Sequence, residues 1–260
     1  MNYNKIKFFL PLLTIAFSSC HSQDTKFVDL DNLSNDFSVA SFFEKKLKQT
    51  EERLATDPEK LDKKETLKLL DNPFFVKDTL GFFKTNGRFP TDLSLEATND
   101  WMSRNKTPTE IFGYEYKTVA WNEDNDTLAI LNSVAFPKIN MTEDKKGNLM
   151  FLELSKTSKM PTDYKKIKEF IVKHCKKLAL ENDDPNVSYW ENENFYYTLT
   201  KKDKKEEEIL SYDLQGNKNS KWIDVTEIDL AIYTKSYIRK MEDLNIYSPG
   251  NLFWKKRPWE

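Results

Sequence analysis

The sequence contains few of the residues that build metal centres and nucleophilic catalytic sites. Its 260 residues include two histidines and two cysteines, the two residue types on which zinc sites mostly draw. His174 and Cys175 are adjacent, and adjacent residues on a helix point about 100° apart. They cannot easily share an ion, or act directly as a base and a nucleophile. We therefore predict no metal site, and we expect Cys175 to pack in the core as a small apolar side chain.

Glycine is also scarce, and its distribution excludes the common phosphate-binding loops. The six glycines are too far apart in the sequence to form a G-x-G-x-x-G motif or a P-loop. The chain also has no G-x-S-x-G nucleophile elbow, the turn that carries the serine of many hydrolases. The sequence therefore assigns no catalytic residue and no cofactor.

The chain lacks an apolar run long enough for a transmembrane helix. The run at residues 8–17 has about half of the roughly 20 residues that a helical span requires, and it contains Pro11. Lys5 and Lys7 precede this run and small residues follow it, which is typical of a secretory signal. Residues 16–18 loosely fit the cleavage site of an ordinary signal peptidase, and ordinary secretion is therefore one interpretation of this segment.

The end of this segment carries a second interpretation. Phe17-Ser18-Ser19-Cys20 resembles the lipobox of bacterial lipoproteins, although Leu is usual where Phe17 stands, and the resemblance covers residues 1–20 only. It implies that residues 1–19 are a signal peptide and that the Cys20 thiol carries a diacylglycerol, with a further acyl chain such as palmitate on the new amino group. Two or three such chains hold a protein firmly on a membrane. Because His21 rather than Asp follows Cys20, the resemblance implies the outer membrane of the cell envelope, facing the periplasm or the cell surface.

The mature chain has no large excess of either charge. Removal of residues 1–19 takes away Lys5 and Lys7 and leaves 38 basic against 42 acidic residues, a net charge of −4. A mildly acidic chain has no general attraction to nucleic acid, so no nucleic-acid partner is predicted. Cys175 is then the only free thiol, and one internal cysteine provides no disulfide framework. The predicted partners are the membrane, through Cys20, and a protein or glycan of the envelope.

The first half of the mature chain is expected to be helical and irregular. Residues 20–36 are polar without a sustained period, which suits a lipidated tether. Residues 37–70 are predicted to be mostly helical, because apolar residues between Phe42 and Leu54 have the spacing of one helix face. Residues 72–112 contain several Pro and Gly residues and are predicted to be irregular.

The second half is expected to form an antiparallel sheet with one helix. Residues 114–121 and 127–136 flank a polar turn and are predicted to pair as a β-hairpin. A helix is predicted at residues 162–180, with Thr162 as its N-cap. Its apolar stripe has spacings of three and four residues and consists of Tyr164, Ile167, Ile171, Cys175 and Leu178. The other predicted elements are strands at 149–154, 187–190, 195–200, 208–212 and 222–233, and a short helix at 235–244.

These elements predict an α+β fold. Its N-terminal helical segment is followed by an antiparallel β-meander that packs against one long amphipathic helix. The corresponding divisions are a signal peptide at 1–19, a lipidated tether at 20–36, an N-terminal region at 37–112, an α+β domain at 113–245 and a C-terminal tail at 246–260.

One stretch combines acidic and aromatic side chains. Between two aromatic segments lie Trp190, Glu191 and Glu193, which we single out as a candidate surface contact, although a simple hairpin turn explains the pattern equally. Two functions follow. The first is a non-enzymatic binding module, of which a toxin-neutralising immunity lipoprotein is one form. The second is a carboxylate-dependent hydrolase that acts on cell-wall or glycan material.

Overall fold

β-Strands make up most of the structure. The computed structural model describes residues 26–56, 73–180, 184–212 and 218–254; the predicted signal peptide, Cys20 and the predicted helical residues 59–70 lie outside these ranges. The helices of the described residues are α1 (Val39–Leu54), α2 (Pro161–His174) and α3 (Lys235–Asp243), with a 3₁₀ turn at Asn251–Phe253. The strands are β1 (Val28–Asp29), β2 (Phe74–Lys84), β3 (Leu93–Ala97), β4 (Glu110–Ala120), β5 (Ala129–Leu131), β6 (Val134–Phe136), β7 (Lys138–Asp144), β8 (Leu149–Ser158), β9 (Lys176–Leu178), β10 (Val187–Glu191), β11 (Phe195–Tyr212), β12 (Lys218–Thr234) and β13 (Ile246–Tyr247).

Ten of these strands form one large sheet. Their order is β13-β3-β2-β4-β7-β8-β12-β11-β10-β9, and every neighbouring pair is antiparallel except β13 and β3. A small second sheet has the order β1-β5-β6. The predicted mixture of helices with an antiparallel sheet is therefore confirmed, and the structure is rich in strands. The specific predicted arrangement is not, because helices α1, α2 and α3 all pack on the sheet.

Alternation along the strands gives the large sheet two apolar faces. On one face, which we call the α1 face, Met141 and Leu152 belong to the same core as α1, α2 and the small sheet. On the opposite face, which we call the α3 face, Phe151 and Tyr233 share a second core with Met241 of α3. The site described below lies on the α3 face, beside this second core.

Helix α1 begins and packs as its sequence indicates. The Ser38 hydroxyl accepts a hydrogen bond from the backbone N–H of Ser41 at the start of the helix, the usual role of an N-cap serine. Phe42 and Phe43 are buried, and the Phe43 ring stacks on Tyr116 of β4 with centroids 5.0 Å apart. These contacts hold α1 against β4 of the large sheet.

Helix α2 ends six residues earlier than predicted. Ile167 and Ile171 are buried as expected, but Cys175 has an extended backbone (φ −132°, ψ 150°), and Leu178 lies in β9, which pairs with β10. Pairing at the sheet edge overrides the helical spacing of this segment. Thr162 is not the N-cap either, because the helix begins at Pro161 and Met160 occupies that position.

Residues 74–84 and 93–97, predicted to be irregular, are strands β2 and β3. Strand β2 was not recognised because it is irregular: a register shift between Leu80 and Gly81 marks a bulge. A bulge breaks the period of two that identifies a strand in a sequence. Because β2 pairs with β4, the predicted boundary between residues 112 and 113 does not separate two structural units.

The predicted hairpin of residues 114–121 and 127–136 is also wrong. Strand β4 pairs with β2 and β7, while β5 turns back onto β6. Asn132 and Ser133 connect β5 and β6 with φ angles of 46° and 65°, and positive φ at both central residues is what a type I′ hairpin turn requires. The chain therefore reverses inside the segment that was predicted to be one strand.

Three connecting segments are more ordered than predicted. The charged run at residues 201–207 lies within β11, where Lys204 contacts Glu227 and Lys221 of β12 lies 3.0 Å from Glu208. Such cross-strand ion pairs allow a charged segment to remain in a strand. In the predicted tether, Val28 and Leu30 are buried, and in the predicted tail the same is true of Ile246, Phe253 and Trp254.

Candidate functional site

Four polar side chains lie together near the middle of the α3 face. Glu115 and Lys117 belong to β4, Asn140 to β7 and Glu153 to β8. Each alternates with buried residues of the α1 face, such as Tyr116, so all four project from the α3 face. Asn140 is the cross-strand partner of Glu153. We call these four residues the sheet-face cluster.

The two carboxylates of the cluster are poorly solvated and share one nearby cation. The Lys117 Nζ lies 2.7 Å from the Glu115 Oε2, and the Glu115 side chain is only 14% exposed. Burial raises the pKa of Glu115, and the hydrogen bond and charge of Lys117 partly oppose this effect. Burial also raises the pKa of Glu153, and the negative charge of Glu115 raises it further, whereas Asn140, Lys117 and Lys138 lower it.

Exposed apolar side chains border the cluster. Val76 is the cross-strand partner of Lys117 and is 40% exposed, and Val119 is 52% exposed. The Lys138 Nζ lies 4.5 Å from the centroid of the Trp121 ring, and Trp121 is also exposed. Exposed apolar side chains gathered next to polar ones are a feature of surfaces that bind partners.

The raised pKa of Glu153 leads to a prediction about stability. The folded chain retains a proton on this carboxyl group at pH values where the unfolded chain has lost it. The free energy of unfolding therefore falls as the pH rises above the ordinary value of 4.5 towards the raised pKa. Glu153→Gln removes this contribution, so the variant should lose less stability than the wild type between about pH 4 and about pH 7. Urea unfolding across this pH range measures the difference.

The exposed residue Glu193 provides the matched control. Glu193→Gln makes the same chemical change at an exposed position outside the sheet-face cluster, and its pH profile is the baseline for Glu153→Gln. Parallel pH profiles for the wild type and Glu153→Gln would contradict the assignment of a desolvated carboxylate to residue 153.

A third carboxylate, that of Glu143, is buried on the α1 face. Glu143 is 3% exposed and accepts hydrogen bonds from the Tyr116 hydroxyl (2.7 Å) and from the backbone N–H of Ala40 in the first turn of α1 (3.1 Å). Strand β4 passes close to this residue, since a Cβ at Gly113 would overlap the Glu143 carbonyl oxygen. These contacts tie α1 to the sheet, and Glu143 is a structural residue rather than part of an accessible site.

The candidate contact residues taken from the sequence do not form a joint surface. Trp190 is 1% exposed and belongs to the core, so the prediction that it contacts a partner is wrong. Glu191 and Glu193 lie at the turn between β10 and β11, as the alternative interpretation predicted. The Glu191 carboxylate is 2.8 Å from the Lys235 Nζ, and Glu193 is exposed.

His174 and Cys175 occupy different environments at the end of α2. The exposed His174 ring contacts the Phe170 ring, with centroids 4.6 Å apart. Cys175 is half-buried, and burial raises the pKa of its thiol to about 11, which disfavours the reactive thiolate. Within the described residues, no group of three or more His, Cys, Asp or Glu side chains is arranged to hold a metal ion.

A cleft of about 670 Å³ lies on another part of the surface, beside α1. Phe42 and Phe75 contribute apolar lining. The Arg53 guanidinium stacks on the Phe74 ring at 3.8 Å and donates a hydrogen bond to the Pro73 carbonyl at 2.9 Å. The charged lining residues are Lys26, Lys45, Lys46, Glu52, Arg53 and Asp126. We call this feature the α1 cleft.

One local pattern in the sequence indicates the sheet-face cluster, although it is not among the candidate residues named above. In residues 114–117 (YEYK) the aromatic and charged side chains alternate, as they do in a strand with one apolar and one polar face. The partners Asn140 and Glu153 are more than 20 residues away, and strand pairing rather than local sequence brings them to Lys117.

Comparisons with known proteins add no relative. No family model, no curated protein and no solved structure matches this chain. No helix of the described residues is both long enough and apolar enough to span a membrane.

Proposed function

We propose that this chain is a lipid-anchored protein of the cell envelope that binds a protein or glycan partner through its sheet-face cluster, without catalysis. The lipobox-like segment ending at Cys20 supports the anchor. The single observation that carries the binding role is the position of two desolvated carboxylates, Glu115 and Glu153, at a partly open sheet face with an apolar rim.

A surface of this kind destabilises the protein when no partner is bound. Desolvated carboxylates destabilise the folded chain at neutral pH, and exposed apolar side chains gain little free energy from folding. A partner that supplies hydrogen-bond donors to Glu115 and Glu153, and covers Val119 and Trp121, would offset both effects. Such perturbed groups occur preferentially at functional sites.

An immunity protein that neutralises a toxin is one specific form of this proposal. The mature chain has a net charge of −4, which favours encounter with a basic partner. In this form of the proposal, the carboxylates of the cluster would face cations of the toxin.

Site-specific crosslinking tests the binding role. A photoreactive amino acid at Val119 should capture a defined partner in the host, because Val119 lies at the rim of the cluster. Val172 of α2 is the matched control, since it is a similarly exposed valine (58% against 52%) on the opposite side of the sheet. The purified partner should then bind the wild-type chain and bind Glu115→Lys at least about tenfold more weakly, because the change replaces an acceptor by a cation that repels the donors of the partner. Identical capture from both positions, or equal affinity for the wild type and Glu115→Lys, would contradict the proposal.

A hydrolase is the second candidate function. The acidic residues that favour it in the structure differ from those that suggested it in the sequence. Glu191 and Glu193 were its basis in the sequence, whereas Glu115 and Glu153 are the acids whose pKa values burial raises. A carboxyl group with a raised pKa holds its proton to higher pH than an ordinary one, which a general acid requires. Turnover of cell-wall or glycan material by the wild type, abolished in Glu153→Gln and retained in Glu193→Gln, would favour this function over binding alone.

A further inference from the structure

The distance between the proposed lipid and the folded domain is short. Val28 is buried and pairs with Ala129 as part of β1 and β5, so the fold begins well inside the segment predicted to be a tether. Lys26 is the sixth residue after Cys20. Because an extended chain spans at most about 3.3–3.6 Å per residue, Lys26 lies within roughly 20 Å of the lipid attachment point.

Lys26 is also part of the α1 cleft. It lines the cleft together with Lys45, Lys46 and Arg53. The lining contains four cations and two acidic residues, whereas the mature chain as a whole has a net charge of −4. A locally basic surface therefore lies next to the attachment point of an otherwise acidic protein.

We propose that the α1 cleft faces the membrane to which Cys20 is attached, and that its cations contact anionic phosphate headgroups. The inference depends on the proposed lipid anchor for its orientation. A lipid surface fits the arrangement because the tether holds the cleft within reach of the headgroups, and because basic side chains beside a lipid anchor are attracted to anionic membranes.

The same orientation has a consequence for the sheet-face cluster. The cleft adjoins α1, which packs on the α1 face of the sheet, whereas the cluster lies on the α3 face. With the cleft against the membrane, the cluster is on the side of the sheet turned away from α1, where a soluble partner can reach it.

The first experiment measures membrane affinity without the lipid. Mature-length protein with Cys20→Ser is mixed with vesicles of phosphatidylcholine, with or without phosphatidylglycerol, and sedimented at low and high salt. The chain should partition onto the vesicles that contain phosphatidylglycerol at low salt only. The double variant Lys26→Glu with Lys45→Glu should lose on the order of tenfold or more in partition, since each basic residue at an anionic surface contributes roughly a fivefold gain.

A matched double variant changes two lysines at the other end of the sheet. The first residues of β2 adjoin the cleft, and Lys84 is the last residue of this strand. Lys106 lies near the same end of β2 as Lys84, because the backbone N–H of Thr109 donates a hydrogen bond to the Phe82 carbonyl. Both lysines are exposed. Lys84→Glu with Lys106→Glu makes the same change in net charge and should reduce the partition much less. Equal losses in the two double variants, or no loss in either, would overturn the inference.

The second experiment uses the native lipoprotein in phosphatidylglycerol vesicles and separates this inference from the proposed anchor. The intact mass of the N-terminal peptide shows whether Cys20 carries lipid. Lysine acetylation followed by mass spectrometry should then find Lys26 and Lys45 protected relative to Lys84. A lipidated Cys20 with equal reactivity at all three lysines would overturn the orientation alone. An unlipidated Cys20 would overturn the anchor, and the orientation with it.

Discussion

Replacement of Cys20 by serine is expected to release almost all of the protein from the membrane fraction. The change removes the thiol that would form the thioether to diacylglycerol, and each acyl methylene in the bilayer contributes about 0.8 kcal/mol of binding. No described helix is long and apolar enough to replace the anchor. At physiological salt the basic residues of the α1 cleft would retain only a small bound fraction, because salt screens their attraction to the membrane. Membrane fractionation and quantitative immunoblotting measure the distribution.

The chain provides its own control for this experiment, because Cys175 is the only other cysteine. Cys175→Ser also removes a thiol, but from a half-buried position, and should leave the protein in the membrane fraction. Mass spectrometry of the mature N-terminus completes the test. An unmodified thiol at Cys20, or a mature chain that begins at Ser19, would show that ordinary secretion is the correct interpretation.

Glu143→Ala should cost about 3–4 kcal/mol of unfolding free energy. The carboxylate accepts hydrogen bonds from the Tyr116 hydroxyl and the Ala40 N–H, and a hydrogen bond to a charged group contributes about 1.5–3 kcal/mol. Alanine leaves both donors without this acceptor and removes a negative charge from the N-terminal end of α1, where the helix dipole favours it. Denaturation in urea measures the loss.

Glu44 of the same helix is the matched control for this prediction. Its side chain is exposed, so Glu44→Ala should change stability by no more than about 0.5 kcal/mol. Because α1 lines the cleft and packs on β2 and β4, Glu143→Ala should also weaken vesicle binding of the lipid-free chain. A loss below about 1 kcal/mol at Glu143 would mean that the buried carboxylate does not hold α1 on the sheet.

Local signals predicted several elements of the fold correctly. The apolar spacing between Phe42 and Leu54 identifies α1, and the strand predicted at 149–154 lies within β8. The short helix α3 and the turn between β10 and β11 were also predicted. In each of these cases the signal comes from a cap, a turn or a period within a few residues.

Predictions failed where distant pairing decided the structure. Strand β9 follows α2 because an edge of the sheet was available to pair with it, and β11 continues through a charged run because β12 supplies opposite charges. The site was missed for the same reason. Trp190 precedes a polar turn in the sequence but is buried by neighbouring strands, whereas Glu115 and Glu153 become neighbours only through β7.

The sequence by itself determined that the chain carries a lipobox-like segment, a mildly acidic balance of charge and a mixture of helices and antiparallel strands. These properties depend on composition and on residues close together in the chain. Only the tertiary structure decided which acids are desolvated, how near to Cys20 the folded domain begins, and that Lys26 adjoins the cations of α1. Those facts depend on the register of strands that are far apart in the sequence. Backbone hydrogen bonds and the burial of one sheet face determine which residues become cross-strand neighbours, and no local pattern does so.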